Sequence, residues 1–174
     1  MRWGPWTGKD ILKVFAVLAV MFGIFMILVI AGNDLIAPVT AEQVWDVLES
    51  QGYDPVDTTQ FYRDTWSDTN QKITSAVSVS TSDFELTFFV FDSDNDALQI
   101  YRSYRSWIRN HRFGVPNMKY DTALGSCQIY WIKTHGTYTV DIRIENTLVY
   151  AWCDEEEHIS KINHIINAIG YFLN

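Results

Sequence analysis

Four arginines spaced three or four residues apart are the side chains best suited to bind a ligand. At about 100° per residue they fall within roughly an 80° arc of one helix; they are Arg102, Arg105, Arg109 and Arg112. A row of planar guanidinium groups can hold phosphate or carboxylate through paired hydrogen bonds. The alternative is a solvated helix face whose later arginines favour the helix C-terminus and pair with nearby acids. The spacing therefore indicates a binding site for an anionic group.

A triplet of aspartates, Asp92, Asp94 and Asp96, alternates like the start of a calcium-binding loop. Such a loop needs glycine at its sixth position and glutamate at its twelfth, where this chain has Ala97 and Ser103. Acidic residues near the positive start of a helix explain the triplet better. We therefore expect no calcium site of this type.

The remaining chemistry-bearing residues form no pattern typical of an active site. The histidines do not place two ligands on one helix face, and neither cysteine lies beside another ligand type in a recognised spacing. The sequence contains no nucleophile elbow, glycine-rich phosphate loop or H-E-x-x-H motif. We expect no catalytic residue, no metal and no cofactor. A hydrolase using a carboxylate pair stays open, since spatial pairs such as Asp121 with Asp141 are invisible in sequence.

An uncharged apolar run near the N-terminus predicts a membrane anchor. The run from Val14 to Gly32 is long enough, at about 1.5 Å per residue, to cross the nearly 30 Å hydrocarbon core of a bilayer. A cleaved signal peptide usually has an apolar region of only about 7–15 residues with a small-x-small site close behind. Here the nearest such site, residues 39–41, lies well beyond the run. We expect an uncleaved signal-anchor helix at 11–32.

The charges that flank the run predict its orientation. Basic residues precede it and acidic residues follow it, and basic residues stay on the cytoplasmic side. Residues 1–10 are therefore expected in the cytoplasm, and the chain beyond a linker at 33–39 is expected outside a bacterial cytoplasmic membrane. Ala19 and Gly23 put small side chains on one stripe of the helix, which would let two anchors pack as a weak homodimer.

The part of the chain after the anchor is acidic. Only three of the 13 basic residues and one of the 21 acidic residues precede position 33, so the remainder has a net charge of about −10. Such a domain should avoid nucleic acid and anionic lipid. Its length of roughly 140 residues suffices for one domain with its own core, which we place at 40–174.

Hydrophobic periodicity predicts an α+β domain with the element order α-β-β-α-β-β-β-α. Helical spacing with start and stop signals recurs at Val44–Leu48, Ala97–Ile108 and Ile159–Ile169. Alternating patterns predict a β-hairpin near 73–91 and a three-stranded meander over 126–153. An antiparallel sheet of about five strands with helices packed on one face is the economical way to bury these stripes.

Two cysteines, Cys127 and Cys153, suggest a disulfide in an exported domain. In the predicted meander they lie at opposite ends of the sheet, far beyond the ~7 Å Cα separation that a disulfide can span. We therefore expect two free thiols.

Aromatic residues make up 15% of the chain, and several lie off the main apolar stripes. These are Trp45, Trp66, Phe91, Trp107 and Tyr130. They fill either a second layer of core or an exposed patch beside the arginines, and such a patch would be typical of a protein-binding surface.

Three short strings carry a resemblance to a group of exported proteins. They are RIENTLVY from Arg143 to Tyr150, IGY from Ile169 to Tyr171, and QGY from Gln51 to Tyr53. In these strings the chain resembles small membrane-anchored exported proteins of Gram-positive bacteria of the Clostridia type, which carry a single α+β domain behind a signal-anchor or lipid group. The resemblance implies a location in the cell envelope and provides no activity to carry over.

Together these patterns predict a membrane-tethered, non-catalytic binding domain outside the cytoplasmic membrane. Its partner would be another envelope protein or an anionic ligand held by the four arginines. The alternative is a cell-envelope hydrolase that uses a carboxylate pair. A clustered acidic pair in a deep pocket would favour the enzyme, whereas an exposed aromatic surface beside the arginines would favour binding.

Overall fold

The computed structural model describes residues 37–111, 118–134 and 136–171, which lie within a compact unit running from Ile36 to Asn174. Its helices are α1 (Ala41–Ser50), α2 (Thr59–Thr65), α3 (Asp94–His111) and α4 (Ile159–Ala168), the last preceded by a 3-10 turn at Glu156–His158. Its strands are β1 (Val56–Asp57), β2 (Ile73–Ser80), β3 (Glu85–Phe91), β4 (Met118–Leu124), β5 (Cys127–Lys133), β6 (Tyr138–Ile144) and β7 (Thr147–Cys153).

Local sequence explains where the helices begin and end. Helix α1 begins at the capping box: Thr40 Oγ1 accepts a hydrogen bond from the Gln43 N–H at 3.2 Å, and Gln43 Oε1 accepts one from the Thr40 N–H at 2.8 Å. Helices α1 and α4 each end at a glycine with positive φ, 83° at Gly52 and 91° at Gly170. Because L side chains rarely adopt this conformation, glycine permits the same tight helix end at both places.

The strands form one antiparallel sheet in the order β1-β2-β3-β7-β6-β5-β4. Strands β2 and β3 make the predicted hairpin, and β5, β6 and β7 make the predicted meander. The α+β class and the antiparallel sheet are therefore confirmed. The expected strand number was wrong, because the described residues form seven strands rather than about five.

Helices cover both faces of the sheet, so the prediction that they pack on one face was wrong. Helices α1 and α4 pack on one face, where Phe88 of β3 belongs to the same core as Val44 and Ile162. Helices α2 and α3 pack on the other, where Phe89 of the same strand joins Tyr101. The physical reason lies in β3 itself, because its neighbouring phenylalanines point to opposite faces and both must be removed from water.

Three elements escaped the sequence analysis, namely helix α2, the two-residue strand β1 and strand β4. Helix α2 lies in the stretch from Asp57 to Asn70, where the predicted element order has no helix. Its apolar pair, Tyr62 and Trp66, is at helical spacing but lies among polar residues. Strand β4 is an edge strand that pairs only with β5 among the described strands. An edge strand needs no continuous apolar face, and so β4 shows no clear period.

The two cysteines lie at opposite ends of the meander, as predicted. Cys127 pairs across with Ile144 at one end of β6, and Cys153 pairs with Tyr138 at the other. This separation along the strands is too large for a disulfide between Cys127 and Cys153, as predicted. Burial raises the pKa of Cys127, which keeps this thiol in its unreactive protonated form.

Tyr171 joins the end of the described chain to its beginning. Its side-chain oxygen accepts a hydrogen bond from the Val39 N–H at 3.3 Å and shares another with Thr147 Oγ1 at the start of β7. Only 1% of Tyr171 is exposed. One buried phenol therefore fixes both ends of the domain to a central strand.

The predicted anchor lies outside the described residues, as do the cytoplasmic segment 1–10 and the Ala19 and Gly23 contact between anchors. Within the described part of the chain, no helix is both long and apolar enough to cross a membrane.

Candidate anion-binding site

Helix α3 positions the predicted arginines on the outside of the domain. Its start is fixed by Ser93, whose Oγ accepts a hydrogen bond from the Asp96 N–H at 3.1 Å. Ala97, Tyr101 and Ile108 then recur at helical spacing and are fully or almost fully buried against the sheet. The opposite flank of the helix, which carries the arginines, is consequently turned toward solvent.

The structure separates the four predicted arginines into different settings. Arg102 and Arg109 are exposed, and neither forms an ion pair with any other described residue. Arg105 is less exposed, with 32% of its side chain accessible to solvent, and forms an ion pair with Asp121 of β4. Arg112 lies outside the described residues. Arg102 and Arg109 thus remain available to a ligand, whereas Arg105 already holds a carboxylate.

Strand β4 adds a cation that the sequence analysis did not place. Lys119 Nζ lies 3.8 Å from Asp121 Oδ2 and 5.6 Å from the centre of the Tyr130 ring. Arg105 Cζ lies 5.5 Å from the same ring. Arg109 lies one helical turn beyond Arg105 on α3, and its charge opposes the rise in the pKa of the Tyr130 hydroxyl. We call Arg105, Arg109 and Lys119 the cationic cluster.

Tyr130 forms the floor of this cluster. It lies on β5 directly opposite Asp121 of β4 and, on its other side, Asp141 of β6. No part of Tyr130 is exposed, and its hydroxyl finds no hydrogen-bond partner among the described residues. Burial raises the pKa of this hydroxyl, which the nearby guanidinium groups only partly oppose. Tyr130 therefore remains a neutral phenol that offers a ring face to the cations.

Asp141 is a carboxyl group in the middle of the protein. It is 0% exposed, and neither of its oxygens has a hydrogen-bond partner among the described residues. The hydroxyls of Tyr101 on α3 and of Thr139 on β6 are also buried and have no hydrogen-bond partner among the described residues. Loss of water raises the pKa of Asp141 well above its usual value, and Arg105 opposes this only in part.

The two aspartates that the sequence analysis considered as a carboxylate pair do share one face of the sheet. Asp121 and Asp141 flank Tyr130 on β4 and β6, so their Cα atoms lie about 10 Å apart, or two strand spacings. Asp121 is partly exposed, with 28% of its side chain accessible, whereas Asp141 is enclosed under α3. The pair therefore does not share an open pocket.

The off-stripe aromatic residues mainly build a second core layer, one of the two alternatives left open. Trp66 stacks near Phe91, with ring centres 6.5 Å apart, and lies 6.1 Å from Tyr104. Trp107 differs, because 46% of it is exposed on α3. An aromatic side chain therefore does lie on the helix that carries the arginines, although no broad aromatic patch surrounds them in the described residues.

An acidic cleft of about 240 Å³ lies at the C-terminal end of β7. Its acidic lining residues are Asp83, Glu85, Asp154 and Glu155, and His158 also lines it. One ligand atom from each of Glu155, Glu157 and His158 comes within 4.8 Å of the others, a grouping that sequence spacing did not indicate. These glutamates are exposed, as solvated acids commonly are, and their charge would repel an anion.

Comparison with known proteins adds little to this geometry. No family model matches the chain, and no curated protein matches it. A solved structure described as a GTP binding regulator from Thermotoga maritima aligns with a TM-score of 0.44 and 14% sequence identity, over 78% of this chain and 91% of that chain. A likeness of this degree carries no argument about function.

Proposed function

We propose that this chain is a membrane-tethered, non-catalytic binding domain that holds an anionic ligand, or an acidic segment of an envelope protein, on the outer flank of α3. The observation that carries the proposal is the state of Arg102 and Arg109. Both are exposed, and neither has an ion-pair partner among the described residues, although the sequence after the anchor is strongly acidic. A local positive field of this kind orients an acidic ligand as it approaches.

The strength of such a site depends on several contacts acting together. One exposed ion pair contributes only about 0–1 kcal/mol. Two guanidinium groups engaged at once, each forming paired hydrogen bonds, would change affinity by about five- to thirtyfold. Salt should weaken the contact, since exposed charges are screened over about 10 Å at 0.1 M ionic strength.

The first prediction concerns these two arginines. Replacing Arg102 and Arg109 together by glutamine should weaken binding of poly-glutamate or polyphosphate by about five- to tenfold at low salt, because two positive charges leave the α3 flank. The matched control is Lys72→Glu, which lowers the net charge by the same amount at an exposed position outside α3, directly before β2. Affinities would be measured by calorimetry on the full chain in zwitterionic detergent.

Two results would contradict this proposal. Equal affinity of the double variant and the unchanged chain would show that the arginines are only a solvated face. An equal loss in the Lys72→Glu control would show that net charge, and not the α3 flank, governs binding. The melting temperature of the double variant should remain within about 2 °C, because surface substitutions rarely change stability by more than about 0.5 kcal/mol.

The second prediction concerns the tether. The uncharged run from Val14 to Gly32 supports an uncleaved anchor, so the chain expressed in a bacterium should stay in the membrane pellet after an alkaline carbonate wash. A variant lacking residues 1–32 should be released. Protease added to the outside of spheroplasts should digest the domain and leave only the N-terminal segment. A mature N-terminus at Glu42 would show instead that a signal peptide is removed.

The second candidate function is a cell-envelope hydrolase using Asp121 and Asp141. The observation that favours it is their placement on one face of the sheet, on either side of Tyr130. The enclosure of Asp141 weighs against it, because water and substrate would have to pass beneath α3. Binding on the exposed flank requires no such opening and is therefore the better supported function.

A further inference from the structure

The carboxylate of Asp121 neutralises only part of the positive charge of the cationic cluster. Its carboxylate contacts a terminal guanidinium nitrogen of Arg105 and approaches Lys119. Arg109 has no ion pair within the described residues, and the Nε of Arg105 has no hydrogen-bond partner there. Arg105 and Lys119 lie beside the carboxylate of Asp121, and Arg109 lies one helical turn beyond Arg105 on α3. These three cations and one carboxylate leave an excess positive charge of two.

The groups in this contact are within reach of solvent. The exposed fractions of the side chains are 32% for Arg105, 28% for Asp121 and 39% for Lys119. An incoming anion can therefore meet the cations without α3 leaving the sheet. Asp121 can also move into water when it is displaced, since it lies on the edge strand β4.

A phosphate group matches the excess positive charge and the unused hydrogen-bond donors of the cluster better than a second carboxylate does. It presents three terminal oxygens and, as a monoester, about 1.5 to 2 negative charges near pH 7, whereas a carboxylate presents two oxygens and one charge. We propose that the cationic cluster binds a phosphate group and that Asp121 acts as an internal competitor for Arg105 and Lys119. This inference rests on the proposed function, since it names the ligand chemistry and the regulation of the same site.

The test is Asp121→Asn in the full chain, which keeps the size of the side chain and removes its charge. Inorganic phosphate should bind the variant about three- to tenfold more tightly than the unchanged chain, because an opposing exposed ion pair is gone. Phosphate should bind more tightly than the dicarboxylate glutarate in both proteins. Its affinity should rise as the pH increases through neutrality, because inorganic phosphate gains its second charge there, while that of sulfate should not.

Two further arms distinguish the sources of the phosphate. Glycerol phosphate in solution represents a soluble phosphate monoester, and vesicles of phosphatidic acid in phosphatidylcholine represent a monoester lipid headgroup. Preference for either one identifies the source and supports the shared chemistry.

The outcomes of these experiments distinguish failure of this inference from failure of the proposed binding function. If Asp121→Asn binds phosphate no more tightly than the unchanged chain, or if glutarate binds as well as phosphate, the inference is overturned. The proposed function still stands in that case if Arg102 and Arg109 govern poly-glutamate binding. Should Asp121→Asn fail to fold, Arg109→Gln decides the matter, because it must weaken phosphate binding at least threefold in an otherwise unchanged chain.

Discussion

Replacing Phe89 with alanine is expected to destabilise the domain by about 3–5 kcal/mol. Phe89 is 0% exposed and lies at the centre of the aromatic layer between the sheet and helices α2 and α3. Its ring centre lies 4.8 Å from that of Tyr62 and 5.4 Å from that of Trp66. Alanine would remove the shared partner of these rings and leave a cavity that they cannot close without moving both helices.

The matched control is Phe61→Ala on helix α2. Phe61 is 62% exposed, and its ring packs edge-on against Tyr62 with ring centres 5.1 Å apart. Its replacement should therefore lower the free energy of unfolding by less than about 1 kcal/mol. Urea unfolding of both variants, followed by tryptophan fluorescence, provides the comparison. Similar costs for Phe89 and Phe61 would show that the second helix layer does not bury the sheet as described.

The second large effect is expected from Asp141→Asn, which should raise stability at neutral pH by about 1–3 kcal/mol. The buried carboxyl of Asp141 has no partner among the described residues to stabilise its charge. Asparagine has nearly the same shape and never has to be neutralised. The gain is limited because the buried amide will itself lack some hydrogen bonds.

The pH dependence distinguishes this cause from any other. Burial raises the pKa of Asp141 above its unfolded value of 3.8, so the folded protein holds a proton that the unfolded chain releases. This contribution to stability is fully present below pH 3.8 and is lost, at about 1.4 kcal/mol per pH unit, as the pH rises toward the folded pKa. Asp141→Asn should therefore show a flatter profile, with its advantage vanishing in acid.

Melting temperatures from about pH 3.5 to pH 8 would measure this profile. The control is Asp92→Asn, since Asp92 is exposed at the end of β3 and should change the profile little. If Asp141→Asn and the unchanged chain have parallel profiles, the pKa of Asp141 is the same in the folded and unfolded chain, and the carboxyl is charged in the folded protein at neutral pH. That result would favour the alternative function, a hydrolase that uses Asp121 and Asp141, over the binding function.

Much of the fold could be predicted because its signals are local. The capping box at Thr40, the hairpin and the meander each depend on residues close together in the chain. The second helix layer was missed because the alternation of Phe88 and Phe89 shows that both faces of β3 are buried without showing what covers them. Strand β4 was missed because a solvated edge strand such as Met118–Leu124 mixes polar and apolar residues on each face.

The candidate site was predictable only as far as helical spacing reaches. The arc of arginines on α3 could be found from periodicity, and Arg102 and Arg109 are exposed as that arc suggested. The ion pair of Arg105 could not be found, because Asp121 lies on an unrecognised strand that only tertiary folding brings to α3. The alignment of Tyr130 with Asp141 was likewise not predictable, because only the sheet register brings these residues of separate strands together.

The hydrogen bond between Val39 and Tyr171 brings the two ends of the described chain close together. Since the Tyr171 side chain alone bridges the two ends of the described chain, a short peptide could join them without disturbing a strand. New ends could open at the exposed turn around Ser82, between β2 and β3. The same closeness would let the whole unit be carried as an insertion in a loop of another protein, entering and leaving at one point.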